Sequence, residues 1–378
     1  MSGPAGNSTG IPRAQVIGSM LRPGYLKQAR AASEDGAILQ RELKRVEDRA
    51  VDAAIARQEA AGIAVLTDGE MRRSAFTAPL SEAVSGMEER SLETAAWRSD
   101  AGAVTEQMGL AVTGKLRRLK SFVIEEYSYA RGRARRPVKV TVPSPLMMFP
   151  MWSPQHSTAV YRDPFEIFAD AVDVVRAEVL ELAALGCEHI QVDAPELATL
   201  VDPEVRDWYE SRGVPAERLL SEGIELIAAV IDGIDRVHFG IHLCRGNHGG
   251  MWMAEGGYDY IAQALFERAP GFDSYLLEYD DERSGGFEPL RAAPAGKSIV
   301  LGLVSTKRAE LEPLPLLLDR VEQAARYFPR ELLAVSTQCG FASSARGNPI
   351  HEEVEDAKLR LVAKLAEAAW PDDGGLRA

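Results

Sequence analysis

The sequence predicts an α/β fold, a single (β/α)8 or TIM barrel, from three observations. Short runs rich in Val, Ile and Leu recur along the chain and alternate with amphipathic stretches of helical period. These runs are almost continuously apolar, which is typical of parallel strands covered by helices on both faces. No Gly-rich phosphate turn of the type G-x-G-x-x-G or G-x-x-x-x-G-K-[ST] is present, which disfavours the alternative of an open doubly wound sheet.

Eight strands are predicted from the apolar runs, and helices fit between most of them. The predicted strands are residues 14–19, 63–69, 138–145, 188–195, 236–244, 274–280, 298–305 and 332–339. One helical stretch opens at Asp163-Pro164 and closes at Gly186, and another closes at Gly62. Asp or Pro at the start and Gly at the end are the residues that helix termini favour.

One segment interrupts this alternation, between the second and third predicted strands. Residues 79–136 are too long for an ordinary strand-to-helix connection and predict an insertion. Within it, "GLAVTGKLRRLKSFVIEEYSYARG" resembles two extended runs, so a protruding β-hairpin near the barrel mouth is expected. Residues 1–13 are polar and rich in Gly and Pro, which predicts a flexible tail before one catalytic domain over residues 14–378.

Composition excludes several classes of function. Lys and Arg number 43 against 56 Asp and Glu, and the net charge of −13 argues against a nucleic-acid partner. No apolar run approaches the roughly 18–20 residues of a membrane span, and no signal peptide is present, so no membrane partner is expected. Three widely spaced cysteines form no disulfide framework, which indicates a reducing cytoplasm. The oligomeric state is left open, a homo-oligomer included.

A metal site is indicated by "FGIHLCRGNHGG", residues 239–250. The active site of such a barrel forms at the carboxyl ends of the strands. There the fifth strand delivers His242 and Cys244, the sixth Glu278 and the eighth Cys339. A lone H-x-C is more often part of a core, but the second Cys and the Glu at other strand ends favour a tetrahedral Zn²⁺ site with these four ligands. Asp280 or Asp281 could replace Glu278.

Other polar residues at the same barrel face are candidates for substrate binding. Glu70 and Asp193 are carboxylates at strand ends, where a ligand role is favoured over a loop cap. Arg22 and Arg245 could form a pocket for a carboxylate or a sulfonate, although a surface or supporting role explains them equally well.

The order H-x-C, Glu and Cys resembles the catalytic domain of cobalamin-independent methionine synthase. The stretches "HLCRGN" and "AEGGY" resemble the single-barrel methionine synthase-like proteins of bacteria, and the resemblance runs from "VIGSMLRP" to the last helix. It implies that Ile17, Gly18, Ser19 and Glu70 hold the amino acid part of a thiol such as homocysteine. It also implies that Asp193 binds the ammonium group and that Trp152 stacks on a folate donor.

The chain departs from that family pattern in two ways. The family has a His after the seventh strand as a proton donor, whereas this chain has Ser305, Thr306 and Lys307. Lys307 and the loop residue His248 are therefore the candidates for a catalytic acid. The second barrel of the long enzyme is also lacking, and both departures bear on the identity of the donor.

These features predict a zinc-dependent thiol alkyltransferase that activates a small thiol, homocysteine by default, for attack on a methyl or alkyl donor such as methyltetrahydrofolate. One alternative resembles epoxyalkane:coenzyme M transferase, in which Arg22 and Arg245 would bind a sulfonate. A second resembles the metal-independent uroporphyrinogen decarboxylase, which would leave Cys244 and Cys339 without a role. A third is a barrel that binds zinc only for structure or sensing.

Overall fold

The structure, a computed structural model, describes residues 10–93 and 95–371, so most of the expected N-terminal tail lies outside the described residues. The strands in these ranges are β1 (Ala14–Gln15), β2 (Met87–Glu93), β3 (Trp97–Ser99), β4 (Gly102–Val104), β5 (Gln107–Val112), β6 (Lys139–Pro143), β7 (His189–Asp193), β8 (His238–Leu243), β9 (Ser274–Glu278), β10 (Ser298–Val304) and β11 (Leu333–Thr337).

The barrel wall is a parallel sheet in the order β1-β11-β10-β9-β8-β7-β6. The gap between β1 and β6 is closed by two residues of the predicted second strand. Val65 forms a parallel bridge with Gln15, and Leu66 forms one with Val138. The predicted α/β barrel is therefore confirmed, with its second position reduced to a short bridging segment.

The predicted second strand, residues 63–69, is shortened because a side chain takes up its backbone groups. The amide of Gln58 accepts the N–H of Thr67 at 2.9 Å and donates to the Thr67 carbonyl at 2.8 Å. These two bonds replace ladder hydrogen bonds at the point where the chain turns toward the barrel mouth.

Helices surround the barrel and fill its connections. They are α1 (Gly24–Glu34), α2 (Gln40–Ala61), α3 (Ala78–Glu82), α4 (Ile124–Arg131), α5 (Pro154–Ser157), α6 (Pro164–Ala184), α7 (Pro195–Thr199), α8 (Pro203–Ser211), α9 (Ala216–Arg218), α10 (Ile224–Ala229), α11 (Ala262–Arg268), α12 (Leu314–Ala324) and α13 (Glu352–Ala369). The Asp163 carboxylate accepts the Phe165 N–H at 3.0 Å and caps α6. Gly62 follows α2 with φ of 90°. Within the described part of the chain, no helix has the length and apolar character to span a membrane.

The insertion contains a hairpin, but only part of one arm, β5, falls within the expected runs of residues 109–132, and a smaller hairpin is nested inside it. β2 pairs antiparallel with β5, and β3 pairs antiparallel with β4. The second predicted extended run, "FVIEEYSYARG", is wrong, because most of it forms α4. The Glu178 carboxylate accepts the N–H groups of Phe122 and Val123 at 2.8 and 2.7 Å, which satisfies backbone donors at the start of that helix.

The nested hairpin, residues 97–104, is called the cap hairpin below. It is attached to the loop after β8 by two backbone bonds, from Arg98 N–H to the Trp252 carbonyl at 2.7 Å and from Trp252 N–H to the Arg98 carbonyl at 2.9 Å. The Arg98 guanidinium also pairs with Glu204 of α8 at 2.8 Å. The insertion therefore reaches the carboxyl ends of the barrel strands.

Candidate active site

Two non-adjacent strands bring together three side chains that could hold a metal ion. His242 lies in β8 and is followed by Cys244, whereas Cys339 follows the end of β11. One ligand atom from each residue lies within 4.8 Å of the other two, and all three side chains are buried. They are three of the four predicted metal ligands.

The chemistry of these three donors fits zinc. Nδ1 of His242 lies 3.2 Å from the Leu276 carbonyl oxygen, so Nδ1 carries the proton and Nε2 keeps its lone pair. Nε2 is buried and has no hydrogen-bond partner among the described residues. The Cys244 thiol, by hydrogen bonding, lowers the pKa of Cys339 well below its ordinary value although burial opposes this. A free imidazole nitrogen beside a thiolate is a ligand combination that Zn²⁺ prefers.

Glu278, the fourth predicted ligand, is held by two other groups. Its Oε1 lies 2.9 Å from Nζ of Lys307, and its Oε2 accepts the backbone N–H of Arg245 at 2.7 Å. Burial alone would raise the pKa of Glu278, but the charges of Lys307 and Arg245 lower it. Among the described residues, the group of ligand atoms within 4.8 Å of one another consists of His242, Cys244 and Cys339 and does not include Glu278. Its role as a ligand stays a prediction, for which its carboxylate would have to leave Lys307.

A cavity of about 350 Å³ lies beside His242, Cys244 and Cys339. Its volume is at the lower end of the range of about 300–1,000 Å³ that small-molecule sites have. The predicted site residues that line it are Ile17, Gly18, Ser19, Glu70, Asp193, His242, Cys244, His248 and Cys339. The structure therefore brings most of the predicted metal and substrate residues to one cavity.

Gly18 and Glu70 are in contact in this cavity wall. A Cβ at residue 18 would lie 2.5 Å from Oε1 of Glu70, so the close approach requires glycine. Glu70 itself has φ of 54°, a sparsely populated conformation for a residue with a side chain. Its Oε1 accepts the Thr141 hydroxyl at 2.8 Å, whereas its buried Oε2 has no partner among the described residues. Oε2 is thus available to accept a hydrogen bond from a ligand.

Asp193 is oriented by side chains inside the barrel. Nε2 of Gln191 donates to Oδ1 of Asp193 at 2.7 Å, and Oε1 of Gln191 accepts from Nζ of Lys139 at 2.6 Å. Burial raises the pKa of Asp193 to about 7. A cationic group that enters the cavity would favour the ionised form of this carboxyl group.

Three predicted substrate-binding residues lie outside the cavity lining. Arg22 donates to backbone carbonyl groups at 2.8, 3.0 and 3.2 Å. Arg245 also donates to three carbonyl groups, at 2.8, 3.0 and 3.2 Å. Trp152 is buried in the main core. Their contact with substrate stays a prediction, because three hydrogen bonds from each guanidinium go to the backbone and the Trp152 indole lies in the core.

The two candidates for a catalytic acid lie in different surroundings. His248 lines the cavity near its rim, where its Nε2 is 3.2 Å from Glu106 and its ring centroid is 5.4 Å from that of Trp97. Lys307 does not line the cavity and instead pairs with Glu278. The two side chains therefore lie in different parts of the structure, and only His248 lines the cavity.

Several cavity-lining residues were missed by the sequence analysis. Trp97 and Glu106 belong to the insertion, whose register the sequence does not reveal. Trp208 and Tyr209 of α8 contribute aromatic surface, and Glu196 of α7 contributes a carboxyl group. The position of Glu196 just after a strand end was the one signal that could have identified it.

Comparisons with known proteins agree with this geometry. The chain matches the family model described as "Cobalamin-independent synthase, Catalytic domain" over residues 12–364. It is 33% identical to the uncharacterized protein YxjG of Bacillus subtilis, over 95% of this chain and 94% of that protein. It is also 21% identical to the methionine synthase of Saccharolobus solfataricus, over 88% of each chain.

Solved structures show the same fold. A B12-independent methionine synthase from Shewanella sp. W3-18-1, in complex with selenomethionine, matches with a TM-score of 0.74 and 20% identity, over 96% of this chain and 98% of that chain. A putative vitamin-B12 independent methionine synthase from Listeria monocytogenes matches with a TM-score of 0.71 and 25% identity, over 95% of this chain and 98% of that chain. These proteins match along almost their whole length.

Proposed function

The chain belongs to the cobalamin-independent methionine synthase catalytic-domain family, and we propose that it is a zinc-dependent S-methyltransferase acting on a small thiol, homocysteine by default. One observation carries this proposal: His242, Cys244 and Cys339 lie within 4.8 Å of one another and share a cavity with Glu70 and Asp193. A metal-activated thiol with an amino acid group is the ligand that this arrangement suits. Methyltetrahydrofolate is the proposed donor and the cytoplasm the proposed location.

In this proposal Zn²⁺ is held by Nε2 of His242 and by the sulfur atoms of Cys244 and Cys339, with Glu278 as the fourth ligand. Zinc bound there would keep the substrate thiol deprotonated at neutral pH while leaving its sulfur nucleophilic toward an alkyl carbon. Lys307 holds the Glu278 carboxylate in the position that we expect when a substrate thiol has replaced it as a ligand.

Glu70 and Asp193 bind the ammonium group of the substrate in this proposal. The unpartnered Oε2 of Glu70 accepts one of its N–H groups, and Asp193, held by Gln191, accepts another. Two carboxyl groups at fixed positions orient the substrate, and such positioning lowers the entropic part of the barrier. The cap hairpin, through Trp97, shields the same cavity from water.

Geometry disfavours the alternatives. A sulfonated thiol needs a cationic pocket, but Arg22 and Arg245 are outside the cavity lining and bind backbone carbonyl groups. A metal-independent decarboxylase gives no role to the juxtaposed Cys244 and Cys339. A purely structural zinc site would not need a cavity beside its ligands.

The test is to measure zinc content and S-methyl product in the full chain and in Cys339→Ser. We expect about one zinc per chain and S-methylhomocysteine by mass spectrometry for the wild type, and loss of both for Cys339→Ser. Cys187→Ser is the matched control, because Cys187 is also buried but precedes β7 at the other end of the barrel.

Two results would contradict the proposal. If Cys339→Ser still bound one zinc with unchanged affinity, the ligand set would be wrong. If the zinc-loaded wild type alkylated a sulfonated thiol such as coenzyme M but not homocysteine, the epoxide-opening alternative would replace the methyltransferase.

A further inference from the structure

Glu196 lies in the cavity in a position that the roles assigned above leave unused. We propose that Glu196 supplies the proton to the leaving atom of the alkyl donor. This inference rests on the proposed function. When the substrate thiolate attacks, the sulfur–carbon bond forms and the bond from that carbon to a nitrogen or oxygen atom breaks. The leaving atom takes the electron pair and needs a proton.

The two acids expected from the sequence are less suitable for this step. The ammonium group of Lys307 is outside the cavity lining and is paired with Glu278 at 2.9 Å. The His248 ring stands at the rim beside Glu106, and its side chain is 22% exposed. Neither presents an unused proton to the interior of the cavity.

The carboxyl group of Glu196 is buried in mostly apolar surroundings. The residue is in the first turn of α7 and is 4% exposed. Leu146, Trp208 and Tyr209 line the same cavity. Burial raises the pKa of Glu196 to about 8, so the group is mostly protonated at neutral pH. A carboxyl group that is neutral because of an apolar environment is a recurring form of general acid.

A hydrogen bond to Ser144 determines which oxygen carries the proton. The Ser144 Oγ accepts the N–H of Leu146 at 3.1 Å, so its own O–H is free to donate. That O–H donates to Oε1 of Glu196, which acts as the acceptor. The proton of the acid therefore lies on Oε2. This atom has no hydrogen-bond partner among the described residues and is available to a ligand.

The position of Glu196 relative to the metal-binding residues suits a second reactant. Asp193 is paired in register with His242 on one side, at the ends of β7 and β8. On the other side, the Asp193 carbonyl accepts the N–H of Ser144, the residue to which Glu196 is bonded. A thiol amino acid held between the metal-binding side chains and Asp193 leaves Glu196 facing the donor. After the transfer Glu196 is a carboxylate, the leaving atom carries the proton, and solvent reprotonates Glu196 between turnovers.

The experiment compares two small alkylating probes on the zinc-loaded full chain with homocysteine. Methyl iodide releases iodide, which needs no proton, whereas ring opening of propylene oxide leaves an alkoxide on the thioether product, which does. We expect Glu196→Gln to keep the methyl iodide rate and to lose about 100-fold or more of the propylene oxide rate. In the wild type the propylene oxide rate should fall as pH rises through about 8, and this decline should be absent in Glu196→Gln.

Two further variants keep the test decisive. Glu355→Gln removes another buried carboxyl group whose pKa is raised, but one that lies outside the cavity, and it should leave the ratio of the two rates unchanged. Glu196→Asp retains an acid and should recover part of the lost propylene oxide rate. At pH 7 the infrared spectrum of the wild type should contain the protonated carboxyl band of Glu196. This band should be absent from the spectrum of Glu196→Gln and present in that of Glu355→Gln.

The outcomes separate this inference from the function on which it rests. A folded Glu196→Gln with an unchanged ratio of rates, or an infrared spectrum in which Glu196 is ionised at pH 7, overturns the role of Glu196 alone. The proposed function itself is overturned if the wild-type chain does not accelerate the reaction of homocysteine with methyl iodide above the rate without protein. Loss of both rates in Glu196→Gln with normal zinc content would indicate a role in substrate binding and would also reject the acid.

Discussion

Gly18 is a residue at which the cavity leaves little room for a side chain. A methyl group there would lie 2.5 Å from Glu70 Oε1 and 3.1 Å from Thr141 Cγ2. We expect Gly18→Ala to displace the Glu70 carboxylate, to raise the KM for homocysteine at least tenfold (about 1.4 kcal/mol) and to cost about 1–3 kcal/mol of stability. Steady-state kinetics and urea unfolding measure both effects.

The control for this prediction is Gly24→Ala. A Cβ at residue 24 meets no atom within 4 Å, so the same substitution there should change neither KM nor stability appreciably. Equal kinetics for the two variants would mean that the contact between Gly18 and Glu70 does not shape the substrate site.

Glu196 should make the stability of the chain depend on pH. Burial raises its pKa from 4.5 to about 8 in the folded state. Between these values the folded chain holds a proton that the unfolded chain releases, so the free energy of unfolding falls as pH rises. Its contribution is complete below pH 4.5 and is lost as pH rises through about 8. The difference between wild type and Glu196→Gln should decrease by about 1.4 kcal/mol per pH unit in that window.

Urea unfolding at several pH values between 5 and 8 checks this slope. Other titrating groups are common to both proteins and cancel in the difference. A difference that stays constant over the window would mean that Glu196 is ionised in the folded chain.

At the scale of residues, the sequence was informative where position in the barrel decides the role. His242, Cys244 and Cys339 could be placed together because carboxyl ends of parallel strands meet at one end of the barrel. The roles of Arg22 and Arg245 could not be predicted. Most of their partners are carbonyl groups remote in sequence, and no local pattern reveals which carbonyl groups will lack other donors.

At the scale of elements, the attachment of the cap hairpin to the barrel can be tested through one side chain, Arg98. Arg98 fastens it to α8 through Glu204 at 2.8 Å, and to Asp202 at 2.5 Å. We expect Arg98→Ala to loosen the hairpin by about 1 kcal/mol, since partly exposed ion pairs contribute about that much. The Trp252 N–H, which donates to the residue 98 carbonyl at 2.9 Å, should then exchange with solvent about fivefold faster.

Arg90→Ala is the matched control for that experiment, because Arg90 lies in the same insertion and forms an ion pair with the exposed Glu88 of its own strand. Hydrogen exchange followed by mass spectrometry reads both variants. Unchanged exchange at Trp252 in Arg98→Ala would show that the two backbone bonds hold the hairpin without the guanidinium group.

Elements were predictable where apolar periodicity was strong and unreliable where a side chain competed for the backbone. The strands from β6 to β11 match long apolar runs. Residues 63–69 look equally strand-like, but Gln58 binds the backbone of Thr67. Similarly, "FVIEEYSYARG" has strand-forming residues, yet the buried Glu178 supplies acceptors that start a helix there. Such long-range partners are invisible to a local reading.

At the scale of the whole molecule, the proposed metal would join parts of the chain that are far apart in sequence. His242 lies in β8, Cys244 follows β8 and Cys339 follows β11, so bound zinc should stabilise the folded barrel by mass action. With zinc at about 1,000 times its Kd, the expected gain is about 4 kcal/mol. A chelator should therefore lower the Tm of the wild type and of Cys187→Ser, but not that of Cys339→Ser. Thermal unfolding with and without chelator measures this difference in Tm. A wild-type Tm that is unchanged by the chelator would contradict the prediction.

The pairing of β1 with β11 has a consequence for how the protein is made. Ala14 is paired with Val335, so the barrel closes only after the last strand has left the ribosome. Cys339 emerges later still, whereas His242 and Cys244 are synthesised long before it. During translation the nascent chain thus carries an incomplete set of the proposed ligands, so binding of the proposed metal would be among the last events of its biogenesis.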